Sequence, residues 1–414
     1  MPVSGARGTA GEGRPVFVRG LGAVTPLGAD WPSSRETLAG GASAVAPVTR
    51  FDVTGFPSTV AAAVPDSFCA TGTHRDRRWG LLAPAADEAW RQAGVDAPAA
   101  RTGVFVGAES GRSSFATVLA LARAAGGGDR FDARAFGVGA AALAPNLDPH
   151  LVSPAAVTSA LARRLGAAGP AVTVSLACSS SAAAIAEGAR AIRCGQCDVA
   201  VCGGVGADVD PFMLAGFGKL GALSARGASC PFDARRDGFV VGEGAAVVVL
   251  AAARGGARVE LCGEARSLDA YHLTAPDPEG AGAERAMRGA LAAAGGPHVD
   301  YVQAHGTSTP LNDAVEAAAI RRVLGGELDQ ALVSSIKGAL GHAIAGAGAL
   351  GFLAACAAIL DGCVLPTAGL HEADAACALP HVRGRAVARP VTTALVNAFA
   401  FGGANTSLVL RGIA

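Results

Sequence analysis

The chain is built twice. The segment GEGAAVVVL at 242–250 returns as GGANTSLVL at 402–410, 160 residues later, and the same offset lays VTVSLAC at 172–178 on LVSSIKG at 332–338. A third match, VFVGAESG at 104–111 with YVQAHGTS at 301–308, has an offset of 197, so the first half carries an extra segment between about 112 and 170. Each copy of such a repeat is one structural unit that buries its apolar face against the other. Short β-branched runs alternate with longer Ala-rich stretches in both copies, which predicts α/β architecture with sheets between helix layers. The pattern predicts strands at 16–24, 103–107, 172–176, 199–203, 245–250, 299–303, 332–335 and 405–410. It predicts helices at 81–93, 155–165, 181–193, 283–294, 313–324 and 343–360.

With 414 residues, 51% of them hydrophobic, the chain can bury a large core in one large or two fused domains. A formal net charge of zero gives no support to a nucleic-acid partner. The ten cysteines lie scattered in apolar segments and make no disulfide framework. Cys194 and Cys197 form one C-x-x-C with no second pair and no nearby histidine, so packing is favoured over metal or redox chemistry. Residues 1–14 read as a disordered tail, since they lack the apolar core of a signal peptide. Ala343–Leu360 is 18 uncharged residues, the length of a membrane span, but it is rich in Ala and Gly. A buried core helix is expected there, in a soluble, cytoplasmic protein with no membrane partner.

Four segments carry chemistry. VTVSLACSSS (172–181) puts Cys178 where a strand pattern becomes a helix pattern. A helix start offers free N–H groups and partial positive charge, which lower a thiol pKa and hold an oxyanion. QAHGTSTPLND (303–313) places His305 at a strand end before Gly306, with Thr307 and Thr309 on alternate positions of an extended loop. SIKGALGHAIAGAG (335–348) carries Lys337 and His342. NAFAFGGANTSLVL (397–410) is a glycine turn leading into a strand. Asp313 and Glu316 read as a capping-box-like helix start. A buried Lys337 also needs a carboxylate, and Glu316 is the candidate.

Together and in this order, the four segments resemble the β-ketoacyl synthase family, the carrier-protein condensing enzymes of fatty acid and polyketide synthesis. The likeness runs from about Val16 to Leu410. It implies a thiolase fold, with duplicated halves in a five-layered α-β-α-β-α arrangement: 15–254 with Cys178, and 255–414 with His305, Lys337, His342 and the gate loop. Cys178 is then the acyl-carrying nucleophile. His305 and His342 hold the thioester carbonyl of a malonyl unit as it loses carbon dioxide. Glu316 pairs Lys337, a positioning residue. The Phe401 N–H completes an oxyanion hole, and its ring gates the acyl pocket. Thr307 and Thr309 bind a phosphopantetheine arm, and Phe217, Thr274, Gly402 and Gly403 join them around the substrate. The loop SLDAYHLTAP (267–276) matches the one that moves with the gate, and CPFDARRDGFVVGEG (230–244) is scaffold in which Asp233, Arg235 and Asp237 are charge-paired.

No dissociable cofactor and no metal are implied, because the 4′-phosphopantetheine arrives on an acyl carrier protein. The protein is expected as a homodimer or as a heterodimer with a ketosynthase-like paralogue. Arg75, Arg77, Arg78 or Arg226 are candidates to dock the acidic carrier. Two departures bear on the acyl substrate. LVSPAAV (151–157) replaces the usual segment before the nucleophile, and Glu109 and Ser110 stand where relatives carry small or apolar pocket residues. Glu109 is expected either to pair with an arginine such as Arg112 or Arg134 and close the acyl tunnel, or to meet a polar or partly oxidised chain, or to turn to solvent and leave Ser110 as the pocket residue; tunnel closure or a polar wall is favoured. Cys178 argues against a silent chain-length subunit. The intact His305, Lys337 and His342 argue against an acyltransferase acting on hydroxyls or amines. The absence of cysteine from FAFGGAN argues against a thiolase.

Overall fold

The computed structural model describes residues 13–70, 76–112, 114–126, 130–146 and 149–414. Except for Gly13 and Arg14, the expected N-terminal tail lies outside them.

Ten strands carry the architecture. In the first half they are β1 (Phe17–Val24), β2 (Thr102–Gly107), β3 (Ala171–Val174), β4 (Val199–Ala207) and β5 (Glu243–Ala251). In the second they are β6 (Val259–Leu268), β7 (Tyr301–Gln303), β8 (Leu332–Ser334), β9 (Thr393–Phe399) and β10 (Ala404–Gly412). The order across the sheet is β8-β7-β9-β10-β6-β1-β5-β4-β2-β3. Read outwards from the middle, each strand of one half meets its counterpart five places on. The pairings repeat as well: β1–β5 and β5–β4 are antiparallel and β4–β2 and β2–β3 parallel, as are β6–β10, β10–β9, β9–β7 and β7–β8 in turn. Within the sheet the halves pair at one position, Phe17 with Glu260.

The helices repeat likewise: α1 (Arg77–Ala93), α2 (Ala155–Leu165) and α3 (Ser180–Arg193), then α4 (Ala281–Ala293), α5 (Pro310–Leu324) and α6 (Ala347–Asp361). α1 packs on β1 and β5, α4 on β6 and β10, and α3 and α6 meet between the two half-sheets. This makes five layers, α-β-α-β-α. The Ala and Gly content serves the middle layer. A Cβ on Gly348 of α6 would lie 2.8 Å from the Ala182 Cβ of α3, so the helix axes approach closely. The membrane-length segment Ile344–Asp361 is 83% buried inside the protein, as a core helix.

Three local expectations need correction. β6 and β9 are strands that the pattern did not predict. β9 is buried at every position and shows no alternation, and β6 turns its charged residues to a half-exposed face. α5 starts at Pro310, because Thr309 caps it by accepting from the Asn312 N–H. Asp313 is therefore inside the helix and is not part of a capping box. Among the described residues, the segment between 112 and 170 holds three further helices, Phe115–Ala124, Ala133–Leu143 and the short Pro149–Val152, before α2.

Candidate active site

Cys178 sits in a single 3-10 turn, Ala177–Ser179, between β3 and the start of α3. The chain enters this turn through Ala177 at φ 46°, left-handed backbone that a non-glycine residue adopts only at a cost. Cys178 is 7% exposed and packs among Val209, Leu214, Phe239 and Ile344. Burial pushes its thiol up to about 12, against the Lys337 charge and a hydrogen bond from the Phe401 N–H. Apolar surroundings thus outweigh the helix start, which the sequence reading expected to lower this thiol's pKa.

His305 follows β7 and His342 follows the turn that carries Lys337. Their ring centroids are 5.6 Å apart and nearly perpendicular. Burial pulls both rings well below the usual imidazole range, and the Lys337 charge pulls them further, so both are neutral at pH 7. Their tautomers follow from their partners. His342 Nδ1 accepts from the Ile344 N–H at 3.2 Å, which puts its proton on Nε2, and that buried atom has no partner among the described residues. His305 Nδ1 lies 3.3 Å from Lys337 Nζ, a donor, so its proton is also on Nε2. Segment 230–244 fixes His342: its N–H donates to Val240 O at 2.8 Å, and its carbonyl accepts from the Gly242 N–H at 2.9 Å.

Lys337 and Glu316 make no ion pair at contact distance. Lys337 Nζ donates to the His305 carbonyl. The Glu316 carboxylate accepts from the His305 and Gly306 N–H groups, both at 2.7 Å, and from Asn397 Nδ2 at 3.2 Å. The expected pair instead grips the two sides of one peptide segment. Burial pushes Glu316 above the usual carboxylate range and pulls Lys337 below the usual ammonium range, while the Glu316 charge draws Lys337 back up. Asp313 holds the next stretch, accepting from the Thr307, Ser308 and Phe232 N–H groups at 2.8–3.0 Å. Asn397 was not singled out from the sequence. Its only signal was one amide inside the apolar run ALVNAF.

One cavity of about 320 Å³ is lined by Cys178, His305, His342, Phe401, Thr307 and Thr309, with Phe217, Thr274 and Asn405 completing its wall. The Thr307 and Thr309 hydroxyls are 3.0 Å apart. The Phe401 ring meets Phe217 edge-on at 6.4 Å. Gly402 and Gly403 take φ of 83° and 77°, and a Cβ on Gly403 would lie 2.7 Å from the Asp269 Cβ. The loop at 267–276 is tied to this turn, because the Gly402 N–H donates to Leu273 O and the Asp269 N–H to Gly403 O.

Several expected roles move. The Glu109 carboxylate pairs with neither Arg112 nor Arg134. It accepts from Ser175 Oγ at 2.8 Å, the Ala177 N–H at 2.9 Å and Ser180 Oγ at 3.1 Å, bracing the turn that carries Cys178. Arg112 is bound to Asp208 and Asp210. Ser110 is exposed and lines a second cavity beside Glu109. Arg77 is engaged with Glu243 and Asp66, and Arg78 is buried against Asp76 and three carbonyls, so neither is free to dock a carrier. Arg226 is exposed, and Arg75 lies outside the described residues. Asp233 pairs with Arg235, whereas Asp237 accepts from Ser224 Oγ and the Arg226 N–H and makes no ion pair among the described residues.

A buried thiol that takes a hydrogen bond from a main-chain N–H and shares one cavity with two neutral imidazoles, in a duplicated α/β fold, is the arrangement of a thiolase-fold condensing enzyme. Residues 13–254 match the beta-ketoacyl synthase N-terminal domain, and residues 259–371 match its C-terminal domain. A 3-oxoacyl-[acyl-carrier-protein] synthase 2 of Synechocystis sp. is 34% identical, over 97% of this chain and 98% of that protein. The tetracenomycin polyketide synthase ketoacyl synthase alpha subunit of Streptomyces glaucescens is 34% identical, over 95% and 96%. The solved ishigamide ketosynthase/chain length factor superposes with a TM-score of 0.84 at 31% identity, covering 97% of this chain and 100% of that one. The chain belongs to the β-ketoacyl synthase family, and its activity is the condensation of acyl units in fatty acid or polyketide synthesis.

Proposed function

We propose that Cys178 takes the acyl group from a carrier-protein thioester and that His305 and His342 drive the decarboxylation of the malonyl partner. The observation that carries this reading is the buried Nε2–H of His342, which has no partner among the described residues and shares a cavity with Cys178 and His305. Cys178 Sγ attacks the thioester carbonyl, its proton leaves with the departing pantetheine sulfur, and the Phe401 N–H holds the transient oxyanion. The malonyl thioester then places its carbonyl oxygen between the two imidazoles. As the C–C bond to the carboxylate breaks, the electron pair moves onto that oxygen as an enolate, and two N–H donors stabilise it. The enolate carbon attacks the acyl-cysteine carbonyl, the C–S bond breaks, and the Cys178 sulfur leaves as a thiolate that takes a proton from water. The product is two carbons longer.

The halves 15–254 and 255–414 divide these tasks: the first supplies Cys178, and the second supplies His305, Lys337, His342 and the gate turn at Phe401. Thr307 and Thr309 flank the path of the phosphopantetheine arm, and Phe217, Thr274, Gly402 and Gly403 shape the space around it. An acyl carrier protein is the partner, as the Synechocystis relative's name states for that protein. The ishigamide ketosynthase/chain length factor supports a paired assembly, with a paralogue or a second copy. Ten free cysteines accord with a cytoplasmic setting. The test is Cys178→Ala. Intact mass should show no acyl adduct and elongation should stop, while malonyl decarboxylation persists on the two histidines. A Cys178→Ala protein that still elongates would remove the nucleophile assignment.

A further inference from the structure

Three buried serines, Ser179, Ser180 and Ser181, follow Cys178 at the start of α3. Each ties the turn to a different neighbour. Ser180 Oγ stays within the turn and its Glu109 brace, accepting from the Leu176 N–H at 2.8 Å. Ser181 Oγ accepts from the Ala349 N–H of α6 at 2.9 Å. Ser179 Oγ donates to Thr406 Oγ1 of β10 at 2.7 Å. Among the described residues this is the one side-chain hydrogen bond between the Cys178 turn and the β9–β10 hairpin. The tip of that hairpin is the turn of Phe401, whose N–H reaches Cys178. The tip's other main-chain bonds close on itself or run to the 267–276 loop, so they do not fix it against the Cys178 turn.

The next residue of β10 reaches the other way. Side chains alternate along a strand, so Ser407 stands on the opposite face of the sheet from Thr406. Its register partner in β9 is Asn397, as that of Thr406 is Ala398. Ser407 Oγ donates to Asn397 Oδ1 at 2.9 Å, and Asn397 Nδ2 donates to the Glu316 carboxylate at 3.2 Å. Glu316 in turn holds the N–H groups of His305 and Gly306. One hairpin therefore grips the Cys178 turn from one face and the His305 segment from the other, and its own ladder fixes the two grips relative to each other.

We propose that Ser179 and Ser407 are positioning residues for the two separate steps of the reaction: the Ser179–Thr406 bond sets the Phe401 N–H for the oxyanion of acyl transfer, and the Ser407–Asn397 bond sets His305, through Glu316, for decarboxylation. Neither serine touches a reacting atom. The inference rests on the roles given above to Cys178, Phe401 and His305. Removing an oxyanion donor outright costs about 10²–10³ in rate, and a donor that stays but is no longer held in line should cost less, about tenfold.

The test crosses two variants with two assays. One assay follows acyl loading of Cys178 from acetyl- and hexanoyl-pantetheine by intact mass; the other follows carbon dioxide release from malonyl-pantetheine. Ser179→Ala should slow loading about tenfold and leave carbon dioxide release within about twofold of wild type. Ser407→Ala should do the reverse, and Ser407→Cys, close in size but a weak donor, replaces it if the alanine variant does not fold. A general loss of packing would lower both rates together. Thr406→Ser keeps the hydroxyl and should load at the wild-type rate. The double variant Ser179→Ala/Thr406→Val removes both hydroxyls and leaves no stranded polar group, so a purely structural role predicts recovered loading, whereas positioning predicts that loading stays slow. Parallel losses in the two assays, unchanged rates in either serine variant, or loading recovered in the double variant overturns the proposal. A wild-type protein that loads neither thioester, or releases no carbon dioxide, overturns the reading of Cys178 and His305 beneath it and the inference with it.

Discussion

Glu316→Ala probes how the His305 segment is held. The Glu316 side chain is essentially buried, and its two oxygens take three donors: His305 N and Gly306 N at 2.7 Å and Asn397 Nδ2 at 3.2 Å. Alanine strands all three. A buried unsatisfied polar group costs about 1–3 kcal/mol, so the loss should be roughly 3 kcal/mol at least, above the usual range for a point substitution. Lys337→Met strands two acceptors of one residue, the His305 carbonyl and Nδ1, and should cost about 2 kcal/mol by the same reckoning. Because the two charges reach His305 from opposite sides and do not touch, the double variant should show a coupling energy of only about 1–2 kcal/mol. A contact pair stripped of one partner would instead lose about 3–5 kcal/mol. The assay is urea unfolding of the four proteins at one protein concentration, read where the m-value is unchanged. Coupling of 4 kcal/mol or more would reinstate a direct ion pair. A Glu316→Ala protein as stable as wild type would refute the bracing role altogether.

Two other expectations follow from the site. Phe401→Ala keeps the N–H that points at Cys178 but removes the ring stacked edge-on against Phe217, so acyl loading should lose chain-length selectivity while still proceeding; unchanged selectivity and rate would make the ring structural only. His305 and His342 are held neutral by burial, whereas the unfolded chain protonates its histidines near pH 6.5, so each ring contributes stability present above that pH and lost as pH falls towards its folded pKa. The slope per ring is about 1.4 kcal/mol per pH unit, and His342→Asn should remove one such slope from unfolding free energies measured between pH 6 and 5; parallel curves for variant and wild type would contradict a depressed His342.

The duplication and the four chemical segments were legible because they are local: a turn with its flanking strand keeps its spelling in one dimension. β9 was missed because a strand buried on both faces has no period to read, only the run TALVNAF. The Glu316 contact was misassigned because composition shows that a buried ammonium needs a counter-charge but not which main-chain groups compete for it. Here two amides of residues 305 and 306 took the carboxylate, and the 305 carbonyl took the ammonium. Glu109 failed in the same way. An arginine three residues on looked like its partner, yet Arg112 faces two aspartates from the end of β4, about a hundred residues away in sequence.

The duplicated plan also shows how one junction can be braced by either sign of charge. At the repeat offset, Ala177 and Lys337 are equivalent positions, each in the turn after a short outer strand and beside the loop that ends the neighbouring strand. In the second half the turn supplies the charge, and the Lys337 ammonium crosses to a carbonyl of the loop. In the first half the loop supplies it, and the Glu109 carboxylate crosses to an amide of the turn. The backbone offers a donor on one side of this gap and an acceptor on the other. A cation reaching one way and an anion reaching the other are therefore interchangeable fasteners, and the choice between them leaves the Cys178 turn beside a carboxylate and His305 beside an ammonium.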